Sequence, residues 1–393
     1  MKHILLLLFM CICFSQVIAQ SVTPVKNGGS KFSITCANVY FEVDSARGAR
    51  ISSFKINELE ILHVASATTD MVGSTFWPSP QSVWGWPPAV NLDSKPFTST
   101  IKGNRVQFKG ATDPKSQLRF YKSMMANESD TSIILEYVMK NENSKAQSWA
   151  PWEITRVEAT GLTVFSRGSG SVTGDMKSRT SEVNGYVWYD QDTANSPGNK
   201  FFCDGKGWIA HVTSENNLFI KKFENIAAAK AAPGEAEVEV YTDSNDLYSE
   251  IEDQGAYSSI AGKDSVTWKV KWYARALSAK VEVKVGSPSL TRYIESILAL
   301  DKPLSAGKLN DRSASVKLYP NPASDRLVIE PGLDAYQNVG LKIVNLQGLI
   351  VHYQAINRDK TIVDIRKLAP GVYLYELKGE ATILARGRFS VVR

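Results

Sequence analysis

The residues best suited to chemistry lie in Ser249-Glu250-Ile251-Glu252-Asp253-Gln254-Gly255. Alternate side chains of an extended strand share a face, so Glu250, Glu252 and Gln254 would gather two carboxylates and an amide around one ligand. That set suits proton transfer at a hydroxyl, which needs a base and an acid within hydrogen-bond reach of the same molecule. A solvated acidic strand end beside a turn would read the same way. A second group is Phe76-Trp77-Pro78-Ser79-Pro80-Gln81-Ser82-Val83-Trp84-Gly85-Trp86-Pro87-Pro88. Its indoles, stiffened by proline, suit either a stacking platform or a plug at one end of a β-sandwich, and Gln81 and Asn91 are placed to add hydrogen bonds. His211, in Gly207-Trp208-Ile209-Ala210-His211-Val212, titrates in the range for acid work at neutral pH, although a lone strand histidine more often serves packing. Arg119 and Lys122 lie on the run Leu118 to Lys122, where one of them either steers an acidic ligand or faces solvent.

The elements that must position these residues read as strands. Period-two runs at Asn38 to Val43, Arg50 to Ile56, Ser132 to Val138, Leu218 to Phe223, Glu237 to Tyr241 and Val266 to Tyr273 are broken by Gly, Asn, Asp and Ser. The fold class predicted for residues 20–290 is therefore all-β, a large antiparallel structure. Thr291 to Leu300 is the one helical candidate, and 291–315, with Pro303, Ser305 and Gly307, reads as a linker. From 316 to 393 short β-branched and aromatic runs such as Arg326 to Ile329 and Val372 to Leu377 return, with turns at Gly348 and Pro370-Gly371.

Lys2 and His3 precede the apolar run Ile4 to Phe14 and then Val17-Ile18-Ala19, which predicts a signal peptide at 1–19; the run is too short to span a bilayer, and no later stretch is long enough. Cys36 and Cys203 then remain, either bridged or as two buried thiols. The formal charge of +5 is concentrated near the end, where residues 316–393 carry 11 Lys and Arg against 7 Asp and Glu, so the body is nearly neutral and lacks the basic balance of a nucleic-acid binder. No glycine-rich phosphate loop, EF-hand spacing, histidine cluster or zinc-type cysteine spacing is present, so no cofactor and no metal is predicted.

Two resemblances sharpen this reading. Leu318-Tyr319-Pro320-Asn321-Pro322-Ala323-Ser324-Asp325, Leu341 to Gly348, Leu368-Ala369-Pro370-Gly371-Val372-Tyr373-Leu374-Tyr375 and Gly387 to Arg393 resemble, in order, the type A C-terminal sorting domain of the type IX secretion system. That implies a small immunoglobulin-like β-sandwich, the type IX machinery as partner, and a destination outside the cell or on its surface. Asp44-Ser45-Ala46-Arg47-Gly48-Ala49-Arg50-Ile51, the Glu252-Asp253-Gln254 segment, and Ala261 to Ser265 before an aromatic strand resemble galactose mutarotase-like proteins, while the Trp-Pro loop resembles secreted relatives of that group. The resemblance implies a β-supersandwich with a sugar-binding face and carbohydrate, mono- or oligosaccharide, as ligand. Members interconvert sugar anomers or bind and cleave glycans. It implies that Glu252 is the base toward the anomeric hydroxyl, and Trp77, Gln81, Trp84, Trp86, Trp152, Gln254, His211 and Arg119 are the residues whose chemistry makes them candidates to surround the substrate. The acid is usually a histidine; here the matching place reads Ser148-Trp149-Ala150-Pro151-Trp152-Glu153-Ile154-Thr155-Arg156. Glu153 would serve if burial beside Trp149 and Trp152 raised its pKa, or it would pair with Arg156 and stay ionised. Without the histidine, a non-catalytic glycan receptor stands beside an aldose 1-epimerase-like enzyme, and polysaccharide cleavage trails both.

Overall fold

The computed structural model describes residues 22–65, 70–191, 199–301, 316–330, 339–345, 350–356, 360–378 and 383–393. The signal peptide predicted at 1–19, linker residues 302–315 and the turn at Gly348 lie outside the described residues. Two compact units divide between Asp301 and Lys302.

The first unit is built on two large antiparallel sheets, and alternation along each strand decides what they bury. One sheet runs Val25–Lys26, Lys31–Cys36, Val39–Asp44, Arg50–Ile56, Ser74–Ser79, Gln147–Val157, Ser249–Gln254, Val238–Thr242, Lys200–Cys203. The other runs Thr180–Val183, Tyr186–Asp190, Leu162–Ser166, Trp208–Val212, Asn217–Lys222, Ser265–Ala276, Ser132–Asn141, Leu118–Asn127, Arg105–Lys109, Thr98–Lys102. Phe54 of the first sheet lies 5.2 Å from Trp272 and 5.3 Å from Phe219 of the second, and Phe76 stacks on Tyr137 at 4.4 Å, so the sheets pack face to face around a continuous aromatic and aliphatic core. Edge-to-face and offset ring pairs of this kind add to the area they remove from water. This is the all-β antiparallel architecture expected from the strand pattern and the supersandwich implied by the resemblance.

The hairpin that opens the fold turns at Gly48 and Ala49, both at positive φ. A Cβ on Gly48 would sit 1.9 Å from the carbonyl oxygen of Asp93, so only glycine lets these two backbones meet. The helical candidate materialises as Pro288–Leu298, with the Ser287 hydroxyl accepting from the Leu290 amide and proline at its first turn. Leu290, Ile294 and Ile297 join the main core, so the body runs to Asp301 and takes in the first part of the stretch read as linker.

The second unit packs a three-stranded sheet, Lys317–Tyr319, Arg326–Glu330 and Thr361–Asp364, with a four-stranded one, Ile350–Ile356, Val339–Val344, Gly371–Lys378 and Ile383–Val391. Leu327, Ile329, Leu341, Ile343, Val363 and Phe389 form its core. Cys36 and Cys203 are both free and buried; burial pushes both thiols up, Cys203 to about 12. The bridge considered for them does not form.

Candidate functional site

Five neighbouring strands of the first sheet present a polar face turned away from the core. Their register pairs Trp77 with Trp152 and Trp152 with Gln254, Ile154 with Glu252, Glu252 with Glu239, Glu239 with Phe202, Arg156 with Glu250, and Tyr241 with Lys200. Alternation puts all of these side chains on one side. Trp77, Trp152 and Ile154 make a small apolar cluster separate from the main core, with Trp84 against it. The sequence-predicted indoles and Glu252 therefore meet: Trp152 Nε1 donates to Glu252 Oε2 at 2.8 Å, and the Trp77 ring lies 5.6 Å from Trp152, 5.8 Å from Trp84 and 6.0 Å from Trp86.

Glu252 is fully buried and salt-bridged. Lys200 Nζ lies 3.0 Å from Glu252 Oε2 and 2.6 Å from Glu239 Oε2, while Gln254 Nε2 donates to Glu239 Oε1 at 2.7 Å. Burial would lower the Lys200 ammonium, but the two carboxylates outweigh it and hold it above the ordinary lysine range. Burial also drives the Glu239 carboxyl well above its usual range against the pull of Lys200. Glu250 is raised by burial too, although Arg156, 2.8 Å away, opposes it. One oxygen of Glu252 and one of Gln254 have no hydrogen-bond partner among the described residues.

The tryptophan loop is held by its own polar ends. Trp77 Nε1 donates to Asp93 Oδ1 at 2.8 Å, Arg50 reaches Asp93 Oδ2 at 3.2 Å, Trp84 Nε1 donates to the Pro78 carbonyl at 2.7 Å, and Asn91 Nδ2 donates to the Thr112 carbonyl at 2.9 Å. Trp86 is left 60% exposed. A cavity of about 320 Å³ opens beside the loop, lined by Trp77, Trp84, Pro87, Asp113, Gln147 and Trp149. The Gln81 backbone N–H donates to Glu235 Oε1 at 3.1 Å, on a loop that borders the acidic strands.

Other candidates go elsewhere. Glu153 is the register partner of Asp253, so it points into the core, on the opposite side from Glu252. There Tyr137 OH and Trp272 Nε1 donate to it and Lys221 lies 3.2 Å away; it pairs with Lys221, and Arg156 with Glu250, in place of the Glu153–Arg156 pair considered from sequence. His211 belongs to the other sheet, hydrogen-bonds Thr163, and is pushed by burial down to about 4, a neutral packing residue. Arg119 lies on the second sheet, bonded to Thr112 and 3.1 Å from Glu142. Lys122 neither steers nor meets solvent: it is buried, donates to the carbonyls of Gly48 and Ala49, and burial lowers it to about 7.

Sequence reasoning missed Glu239, Lys200 and the Arg50–Asp93 pair. The alternation in Glu237-Val238-Glu239-Val240-Tyr241 could have placed Glu239 and Tyr241 on one face; Lys200, on a strand of only Lys200–Cys203, left no such pattern. His63 also borders this region, buried, its ring tilted against that of Tyr248 at 5.7 Å and bonded through Nδ1 to Glu158.

Residues 317–387 match the family model of the secretion system C-terminal sorting domain. The chain thus carries a type IX sorting signal that directs it to the cell surface or into the medium, with the secretion machinery as partner. Among the described residues no helix is long and apolar enough to cross a membrane. No curated protein matches the chain. Similar solved structures include galactose mutarotase-like proteins from Lactobacillus casei, at 8% identity over 62% of this chain and 100% of that one with TM-score 0.46, and from Clostridium acetobutylicum, at 9% identity over 65% and 99% with TM-score 0.44. A galactose mutarotase related enzyme from Lactobacillus acidophilus is 10% identical over 65% of this chain and 100% of that one, with TM-score 0.43. Likenesses this distant assign no activity.

Proposed function

We propose that this exported protein binds carbohydrate on the outer face of its first sheet. One observation supports the reading above the rest: indoles and unsatisfied acceptors share a surface. Trp86, 60% exposed, and the half-buried Trp84 offer ring faces for the C–H side of a pyranose, backed by the buried Trp77 and Trp152, and Glu252 and Gln254 each keep a buried oxygen without a hydrogen-bond partner among the described residues. Sugar hydroxyls are the donors such oxygens lack, and a buried acceptor left unpaired is unfavourable by about 1–3 kcal/mol, which a ligand would recover. The tryptophans lose little entropy on binding.

Turnover is the second reading, favoured by the Glu252–Glu239 pair. Anomer exchange takes the proton from the anomeric hydroxyl, gives one to the ring oxygen as the C–O bond opens, and reverses both steps after rotation. Glu239, whose carboxyl burial drives above its usual range, fits the acid and Glu252 the base of the galactose mutarotase-like resemblance. The Lys200 and Trp152 contacts both occupy Glu252 Oε2, so binding is the primary proposal.

Calorimetric titration with mono- and oligosaccharides is expected to show saturable binding that Trp84→Ala or Trp86→Ala weakens roughly tenfold. Absence of binding to every saccharide tried overturns the reading. Polarimetry on freshly dissolved aldoses decides turnover: a rate above buffer that Glu252→Gln removes supports it, and a rate equal to buffer removes it.

A further inference from the structure

The outer face carries a second cavity, about 500 Å³, that none of the candidate residues predicted from sequence enters. Ser169, Ser171, Thr173, Phe202, Asp204 and Glu235 line it. Its chemistry is that of a subsite for hydroxyl groups: three side-chain hydroxyls, an aromatic ring and carboxylates, with Asp204 Oδ1 buried and without a hydrogen-bond partner among the described residues. The carboxylates would repel an acidic sugar.

This cavity is linked to the tryptophan cavity along the face. From Trp77, which lines the first, the Trp152 ring is 5.6 Å away; Lys200 Nζ then lies 5.0 Å from the Trp152 ring and 5.4 Å from that of Phe202, which lines the second. Four strand spacings separate the Ser74–Ser79 and Lys200–Cys203 strands, roughly 19 Å at the usual inter-strand distance. A single pyranose occupies one cavity and cannot reach the other. Between them lie the fully buried Glu252 and Gln254 with their unpartnered oxygens. The loops that border the two cavities are tied to each other where the Gln81 backbone N–H donates to Glu235 Oε1 at 3.1 Å, a contact that closes 154 residues of intervening chain.

We infer that the two cavities are the end subsites of one groove for a neutral linear oligosaccharide, and that the Gln81–Glu235 contact is the strap that closes it over Glu252 and Gln254. The inference rests on the carbohydrate reading above and adds the ligand's length, its lack of charge and the strap. One carboxylate–amide bond at partly exposed residues is weak enough for a ligand to displace. Trp77, Trp152 and Phe202 keep their places on the sheet when it opens.

The test is calorimetry with neutral gluco-, xylo- and manno-oligosaccharides from mono- to hexasaccharide, and with a uronate series of matching lengths. Affinity is expected to rise with length and level off once both cavities are spanned. Phe202→Ala, and Ser171→Trp at an exposed position that tolerates it, should each lower the ratio of hexasaccharide to disaccharide affinity roughly tenfold. Glu235→Ala should speed hexasaccharide association. Binding that is flat with length, or a ratio that neither variant changes, overturns the groove and leaves the carbohydrate reading standing. Uronates that bind as tightly as neutral chains overturn the charge selectivity. Failure of every saccharide sinks the reading on which the inference rests.

Discussion

The strands Gln147–Val157 and Ser249–Gln254 carry a lysine–carboxylate cage on each of their two faces. Toward the core, Lys221 holds Glu153 at 3.2 Å and Asp253 at 2.7 Å; Tyr137 and Trp272 donate to Glu153, and Trp268 Nε1 donates to Asp253 Oδ2 at 2.8 Å. Toward the outside, Lys200 holds Glu239 and Glu252, Trp152 donates to Glu252, and Gln254 donates to Glu239. The parts are nearly the same. Among the described residues every carboxylate oxygen of the inner cage has a hydrogen bond or an ion pair, Asp253 Oδ1 through Lys221 alone, whereas the outer one leaves an oxygen on Glu252 and another on Gln254 with neither and lies between two cavities. A closed network fixes how two sheets seat on each other; an incomplete one is completed by something else.

The largest expected effect separates the two lysines. Lys221→Met strands two carboxylates in the core, and removal of one partner of a buried pair is destabilising by about 3–5 kcal/mol. Urea unfolding followed by tryptophan fluorescence should show that drop and a smaller one for Lys200→Met, because the Lys200 side chain is 21% exposed whereas that of Lys221 is fully buried. Equal losses would make the outer cage as structural as the inner. A smaller effect comes from His211, a buried titratable group with no counter-charge. Its folded pKa of about 4 lies below the unfolded value of about 6.5, so the unfolded chain binds the extra proton and stability falls as pH drops from 6.5 toward 4. The loss at pH 5 is about 2 kcal/mol, and His211→Gln should flatten that part of the stability curve. A slope unchanged in the variant would return the pH dependence to the carboxylates.

Alternation made much of this legible in sequence. Glu250, Glu252 and Gln254 do share a face, and the Trp-Pro loop does meet them, because period two and local proline stiffness are properties of short segments. What alternation cannot give is which face turns inward. Glu153, open in sequence to a role as acid or as partner of Arg156, pairs in register with Asp253 and turns into the core. The cations were equally hidden: Lys200 and Lys221 reach the acidic strand from 52 and 32 residues away along the chain, and sheet order, not sequence distance, sets those meetings. The helix at Pro288–Leu298 showed in its spacing, but its burial against the core did not.

The smallest expected change is the most discriminating, since it asks the same substitution of both faces. Glu153→Gln keeps the shape of the inner side chain but turns one acceptor oxygen into a donor facing Tyr137, Trp272 and Lys221, all of which donate; a loss of about 1–3 kcal/mol follows from the buried groups left unpaired. Glu252→Gln can turn its new amide toward the side where the carboxylate had no partner, keeping the Trp152 bond on its remaining oxygen, while Lys200 retains Glu239. Its loss of stability should be smaller than that of Glu153→Gln, because Lys200 keeps Glu239 as a partner and the new amide meets no opposing donor on the unpartnered side. Saccharide affinity should change in Glu252→Gln and not through unfolding, a distinction visible when calorimetric titration and urea midpoints are measured on the same preparation. Were Glu252→Gln as destabilising as Glu153→Gln, the unmet oxygen would not be free to accept from a ligand, and the outer face would be a second piece of scaffold.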